Sequence, residues 1–473
     1  MPPASSSSSS GAPSSGDFPE SPASTAVLER PERVEAPLVL DTEPPRTLRF
    51  RDHFALWMNL GVSLIGFSTA ATVLGAKGSE MSLAAAVTAI LVGTAVGTAM
   101  LGVAALIGAR TGAPAMATLR GLFGTRLSYL PTVLNIVQCI GWGVFELLTI
   151  AAGAQTVAHT DGYRWLFVLL AGALTTALTI WPLGSIAVLR RFVAGAVAVA
   201  MVYLTVQLGR QGVPDPGAGN WHGFLGATDA MIAVSISFVP LAADYTRHSR
   251  TPRSAFWGSF SGYTIAQVWC YVLGLMALLQ SDGDPNRIFD SFLGVWAGWL
   301  FLLVLVLRET DQSFANVYST AMSVQNLLPK VDRRVLSGGI GVLITVLALR
   351  IDRFTDTYTN FLGLIGSVFV PLLAVLAVDY FLGAGRHGWN LSADAPSRWL
   401  MLLPWLLGFA VYQLIAPTQV ADWWTDFWAS AREALHFTPQ QWTSASLFAF
   451  LVPALVTWAL TPLAHRTGRR TAL

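Results

Sequence analysis

From about residue 50 onward the chain is a succession of long apolar runs separated by short polar and basic stretches. A membrane-spanning helix needs about 20 consecutive apolar residues. On that measure twelve segments are predicted, at approximately 54–75, 82–108, 128–155, 164–182, 186–209, 228–245, 255–280, 292–326, 335–350, 358–382, 399–416 and 444–463. Residues 1–48 follow a different pattern. Ser5 to Ser10 is a serine run, and Pro, Gly and Glu follow with few large apolar residues. Such a composition cannot bury enough surface to fold, so this stretch is expected to be a disordered cytoplasmic tail. It has no basic stretch followed by a short apolar core, so no cleaved signal peptide is expected.

Four of the apolar segments carry polar groups that plain lipid-facing helices lack. In the eighth, Arg308, Glu309 and Asp311 sit together in the middle of an apolar run. An ionisable group at bilayer depth costs about 2.5–3.5 kcal/mol on insertion scales, so such a cluster is expected to face a cavity or a partner. The first segment contains Asn59, Gly61, Ser63, Gly66, Ser68 and Thr69, and the sixth contains Ser235, Ser237, Pro240 and Asp244. Proline removes a backbone donor and disrupts the preceding turn. Interruptions in corresponding segments of two halves point to a midplane site in an inverted-repeat transporter. Segments one and six are spaced as a five-plus-five repeat requires. The alternative is that the glycines and serines only allow helices to pack closely. In the third segment Gln138, Trp142 and Glu146 recur every fourth residue and so share one helix face. An indole between an amide and a carboxylate makes a platform for a planar ligand; core packing of Trp142, with Glu146 paired to an arginine, is the other reading.

Composition agrees with a membrane protein. Of 473 residues 53% are hydrophobic and only 12% charged, and mean hydropathy is +0.54; a soluble protein carries about 25% charged residues. The net charge of +2 gives no reason to expect a nucleic-acid partner. Cys139 and Cys270 both fall in apolar segments, which implies no disulfide framework. The histidines lie at segment ends or in loops with no HExxH or Cys/His cluster, and no nucleophile–base motif is present, so an enzyme is not expected. Arginines concentrate on one side of the predicted spans, for example Arg46, Arg49, Arg110, Arg190, Arg247 and Arg333. The positive-inside rule then places both termini in the cytoplasm of a multi-pass plasma (inner) membrane protein. The loop from Pro417 to Trp442 carries Trp423, Trp424 and Trp428, which suit a membrane interface.

At several of these positions the chain resembles the nucleobase–cation symporter family, which contains cytosine permeases and purine, allantoin and hydantoin permeases. The matching stretches are Gly108-Ala109-Arg110 through Gly124 after the second segment, Gly141-Trp142 in the third, Asp244-Tyr245-Thr246-Arg247 closing the sixth, and Asn316-Val317-Tyr318-Ser319 in the eighth. The resemblance implies an all-α integral membrane protein of twelve transmembrane helices. Its core would be a five-plus-five inverted repeat with broken helices one and six, followed by two extra helices. Residues 49–210 would form the first repeat, 211–383 the second, and 384–473 helices eleven and twelve with a cytoplasmic C-terminus.

The resemblance also implies functional residues. Trp142 would stack on the nucleobase, and Glu146 would occupy the polar position one turn later. Cys139 stands where cytosine permeases use a substrate-contacting Gln, with Gln138 beside it. Ser235 replaces an aromatic residue of the sixth helix, for which Phe238 would compensate, and Asn316 is the eighth-helix Asn. The family's sodium site joins first-helix backbone carbonyls, here near Ser63, Gly66 and Phe67, to hydroxyl residues of helix eight. Those positions are Thr310 and Asp311 here, so Asp311 is expected as the cation-coupling carboxylate. Its charge suits either Na+ or H+, and pairing with Arg308 is the structural alternative. No other cofactor is expected. The implied partners are a small nucleobase-type substrate, a coupling cation and the lipid bilayer. An amino acid or amine symporter on the same fold is the alternative, since Glu146 also suits a ligand ammonium.

Overall fold

The computed structural model describes residues 45–74, 81–160, 162–180, 186–212, 215, 217–327, 331–351 and 354–470. Seventeen α-helices make up nearly all of the described structure. They are α1 (Phe50–Gly61), α2 (Leu64–Leu74), α3 (Leu83–Thr111), α4 (Ala115–Phe123), α5 (Tyr129–Val157), α6 (Arg164–Ile180), α7 (Ile186–Arg210), α8 (Phe224–Ile236) and α9 (Val239–Thr246). There follow α10 (Pro252–Gln280), α11 (Asp290–Leu293), α12 (Gly298–Leu327), α13 (Arg333–Arg350), α14 (Phe354–Leu382), α15 (Leu402–Ile415), α16 (Asp422–Ala434) and α17 (Ala445–Arg470). Most of the expected N-terminal tail, residues 1–44, lies outside the described residues. Its last few residues are held in place: Leu48 N–H donates to His248 O at 2.9 Å, and Arg46 Nη1 donates to Ala109 O at 2.7 Å.

Among the described residues, six helices are long and apolar enough to cross a membrane, or seven if the bent pair α1–α2 counts as one span. That is fewer than the twelve expected. Shorter apolar helices, α6, the Gly195–Arg210 part of α7 and Trp399–Ile415, account for part of the difference. The two expected breaks differ in kind. The axis bends by 64° between α1 and α2. The sixth segment is only offset, because Ser237 and Phe238 keep right-handed helical angles (φ −59°, ψ −24° and φ −84°, ψ −9°) and Phe224–Thr246 runs as one span of 23 residues. Pro240 sits in the first turn of α9, where a missing N–H leaves no hydrogen bond unmade.

Packing sorts the helices into two groups that face each other across the site. In one, α1 and α3 pack on α10, α3 packs on α8, and α2 lies against α10. In the other, α5 packs on α12 and α6, and α13 packs on α6, α12 and α5. Glycine makes close approaches of this kind possible: a Cβ on Gly97 of α3 would stand 2.7 Å from Ser235 Cβ of α8. Outside both groups α14 packs on α15 and α17.

The last helix is tied to α8 by a buried carboxylate. Asp229 accepts from Ser444 Oγ (2.6 Å), Ala445 N (2.8 Å) and Ser446 N (3.2 Å), and so caps the N-terminus of α17. A carboxylate there satisfies orphan N–H groups and meets the positive end of the helix dipole. Asp229→Ala is expected to destabilise the protein by about 1–2 kcal/mol, the upper part of the range for a lost cap. Thermal unfolding in detergent reads this as a lowered Tm; an unchanged Tm would show that the cap contributes nothing.

Candidate substrate site

The break in the first span is built by side chains from α10 and α12. Val62 is extended (φ −82°, ψ 111°), so α1 stops at Gly61 and α2 restarts at Leu64. Backbone groups exposed this way inside a membrane need protein partners. Glu309 supplies acceptors to the restarting helix: its carboxylate accepts from Ser63 Oγ (2.6 Å), Leu64 N (2.8 Å) and Ile65 N (3.4 Å). Donors meet the ending helix. Arg308 Nη2 donates to Asn59 O, Gln312 Nε2 to Leu60 O (3.1 Å) and Gln267 Nε2 to Gly61 O (3.2 Å). Arg308 is 3% exposed and Glu309 is fully buried.

Helical periodicity explains which side chains reach the break. Arg308, Glu309 and Gln312 share one face of α12, whereas Thr310 lies on its opposite side and its hydroxyl donates to Leu307 O at 2.7 Å. The sequence reading placed Thr310 and Asp311 opposite the break; among the described side chains Glu309 reaches it and Thr310 does not. The side chain of Asp311 lies outside the described residues. Ser63 faces the break, while Gly66 packs on Cys270 and Phe67 is buried against Phe292.

Beside the break lies a small cavity of about 30 Å³. Its lining includes Ser63 and Ile65 from the first span, Gln138, Cys139, Trp142 and Glu146 from α5, Phe238 between α8 and α9, Tyr263 and Gln267 from α10, and Gln312 and Asn316 from α12. The α5 residues arrive together because they recur every turn on one face. Asn316 Nδ2 donates to Glu146 Oε1 at 2.8 Å, and Gln138 Nε2 donates to Asn135 Oδ1 and Ser237 O, both at 2.8 Å. Four buried polar atoms of the lining have no hydrogen-bond partner among the described residues: Glu146 Oε2, Gln138 Oε1, Gln267 Oε1 and Trp142 Nε1. Buried polar groups are normally satisfied, so such a concentration points to a ligand.

Aromatic side chains close the cavity. Phe238 packs edge-on against Trp57 (5.9 Å between centroids) and Tyr263 (5.2 Å). Trp142 packs against Tyr358 (5.9 Å) and Phe361 (5.4 Å). Beyond this second group a much larger cavity, about 830 Å³, is lined by Ser68, Thr149, Thr156, His159, Arg164, Arg287, Phe354 and others. Tyr358, edge-on to Trp142, shares through its hydroxyl a 2.9 Å hydrogen bond with Thr69 Oγ1 that joins α14 to α2.

Of the expected substrate residues, Gln138, Cys139, Trp142, Glu146, Phe238 and Asn316 line one cavity. Ser235 does not: its Cβ packs toward Gly97 of α3. Sequence reasoning missed Tyr263, Gln267, Gln312 and Tyr358. Gln267 had a usable signal, as a lone amide deep in an otherwise apolar span; the two tyrosines had none.

The fold is similar to that of solved transporter structures. It superposes on the structure "Inward facing conformation of Mhp1" with a TM-score of 0.72 and 15% identity, covering 92% of this chain and 96% of that one. For Mhp1, "a nucleobase-cation-symport-1 family transporter, in a closed conformation with bromovinylhydantoin bound", the TM-score is 0.66 with 17% identity, covering 92% and 97%. Residues 42–388 match the family described as "Permease for cytosine/purines, uracil, thiamine, allantoin". The "Putative purine-cytosine permease YxlA" of Bacillus subtilis (strain 168) is 26% identical over 365 residues, covering 72% of this chain and 76% of that protein. The chain therefore belongs to the cytosine/purine permease family, as its motifs suggested.

The Tyr358–Thr69 bond ties α14 to α2 beside Trp142, and its loss is expected to ease opening of the cavity toward the larger one. Cys139, in the lining and fully buried, reports the opening. Tyr358→Phe removes a bond worth about 1 kcal/mol, so in a Cys270→Ser background Cys139 is expected to react about fivefold faster with a small maleimide. An unchanged rate would show that this contact does not hold the cavity shut.

Proposed function

We propose that this protein imports a small planar nucleobase-type heterocycle across the plasma membrane by alternating access, driven by a cation gradient. One observation carries the reading. In a family of nucleobase-type permeases, three buried acceptor oxygens without partners converge on a cavity beside the indole of Trp142. A ring stacked on Trp142 would turn its edge toward Glu146 Oε2, Gln138 Oε1 and Gln267 Oε1. A carboxylate accepts hydrogen bonds only, so the favoured edge carries an amino group beside a ring N–H, as in guanine or protonated cytosine.

Alternating access is supported by the disparity between the two cavities. A volume of about 30 Å³ has room for about two waters, so a heterocycle enters only when the helix groups separate. Asn316 on α12 holds Glu146 on α5, both in the second group, while Phe238, Tyr263 and Gln267 belong to the first, so the acceptors of the site are divided between the two groups.

Trp142→Ala is expected to weaken binding by about 1–3 kcal/mol, the range for base–aromatic stacking, without unfolding the protein. Uptake and thermal-shift measurements over a panel of cytosine, guanine, hypoxanthine, uracil and amino acids check this; near-normal uptake by the variant would remove Trp142 from the site. Glu146→Gln is expected to cost guanine and cytosine about 1.5–3 kcal/mol, the worth of a hydrogen bond to a charged group, and uracil much less. If the ranking of the four rings stays as in the wild type, Glu146 serves the fold instead.

A further inference from the structure

A helix that ends inside a membrane presents carbonyls and the negative end of its dipole, which is a cation site, and in transporters with broken spans such ends coordinate the coupling ion. In this chain the last turn of α1 has that form, with the carbonyls of Asn59, Leu60 and Gly61 turned toward α10 and α12. Each accepts from a side-chain N–H: Arg308, Gln312 and Gln267 respectively. A sodium ion needs oxygen ligands stripped of competing donors, and here donors of the protein already point at all three. One of those donors belongs to a guanidinium, whose fixed positive charge repels a second cation in a low-dielectric interior. On the opposite side of the gap the α12 neighbour, Glu309, meets the positive end of α2 through Ser63, Leu64 and Ile65. Thr310, whose hydroxyl would complete an oxygen cage, lies on the opposite side of α12 from Arg308 and Gln312. Among the described side chains at the break, the donor set does not fit sodium.

We propose that Arg308 is a tethered cation that takes the place of a dissociable sodium ion at the break of the first span, so that substrate binding and uptake by this protein are independent of sodium. The inference follows from adjacent residues of opposite charge reaching opposite ends of one gap. Arg308 neutralises the end of α1, Glu309 neutralises the start of α2, and the pair on α12 ties the second helix group to the first without any ion from solution. An ion that is part of the chain cannot be released on the far side of the membrane. Energy from a cation gradient then has to enter elsewhere, which within the cation-driven reading above leaves the proton.

The test has one arm that needs no substrate and one that does. Purified wild-type protein in detergent is melted, and assayed for binding of radioactive sodium, in sodium chloride and in choline chloride. The Tm is expected to be the same in both salts and sodium binding to be non-saturable. Saturable, stoichiometric sodium binding that raises the Tm would overturn the proposal. Arg308→Ala is expected to melt lower and to become stabilised by sodium, with Arg308→Lys keeping the wild-type indifference to salt. A stable Arg308→Ala protein that ignores sodium would also overturn it, and if that variant does not fold the wild-type measurements decide alone. In proteoliposomes, a coupled cation changes substrate affinity by about 5- to 150-fold, whereas replacing sodium with choline is expected to change cytosine or guanine uptake by less than about twofold here. Uptake that collapses without sodium contradicts the tethered cation. Absence of uptake of any ring in either salt counts against the functional reading instead, and leaves the substrate-free arm standing.

Discussion

A helix that stops and restarts inside a bilayer leaves carbonyls at one end and N–H groups at the other, and lipid supplies partners for neither. Here the partners come from α12 and α10: Arg308 and Gln312 to the carbonyls, Gln267 to the last of them, Glu309 to the N–H groups. The bend of 64° between α1 and α2 exists because these side chains make it affordable. The same residues also hold the site together. Gln312 and Gln267 line the cavity and Ser63 does so while bonded to Glu309, so the backbone of the break and the lining of the site form a single polar network. A change at the break is therefore felt in the cavity.

That network has two functional sides that differ in how fully they are satisfied. At the break the carbonyls of Asn59, Leu60 and Gly61 and the N–H groups of Leu64 and Ile65 all have side-chain partners. In the cavity, Glu146, Gln138 and Gln267 each keep one oxygen without one. A buried, unsatisfied acceptor costs free energy that a ligand with the right donors recovers. Selectivity can thus come from what the pocket lacks in its closed form, and the aromatic residues at either end keep water from supplying it. Trp142 both lines the cavity and packs against Tyr358 and Phe361.

Much of this was legible in the sequence, where periodicity and polarity coincide. Gln138, Trp142 and Glu146 stand out because a four-residue spacing in an apolar segment has one geometric meaning, and the charged cluster of α12 because charge inside a membrane demands a reason. What could not be read was rotation. Residues 308 to 312 circle the whole helix, and a turn of about 100° per residue separates Glu309, at the break, from Thr310, on the opposite flank. The motif resemblance carried positions but not the local exchange of partners. Ser235 is similar: the close approach of Gly97 claims it for helix packing, and no one-dimensional pattern records that neighbour. Pro240 misled in another way, since proline breaks a helix in its interior yet suits its first turn.

Asp229 has a consequence for how the chain is assembled. Its partners at the start of α17 lie 215 residues and more further along the sequence. During synthesis α8 enters the membrane long before Ser444 exists, with a carboxylate that has nothing to accept from in its final place. Only when the last span arrives is that charge matched by a helix end. The final helix is thus more than an appendage to a finished core: it completes an electrostatic contact begun in the middle of the chain, and the sixth span reaches its settled state only after nearly all of the protein has been made.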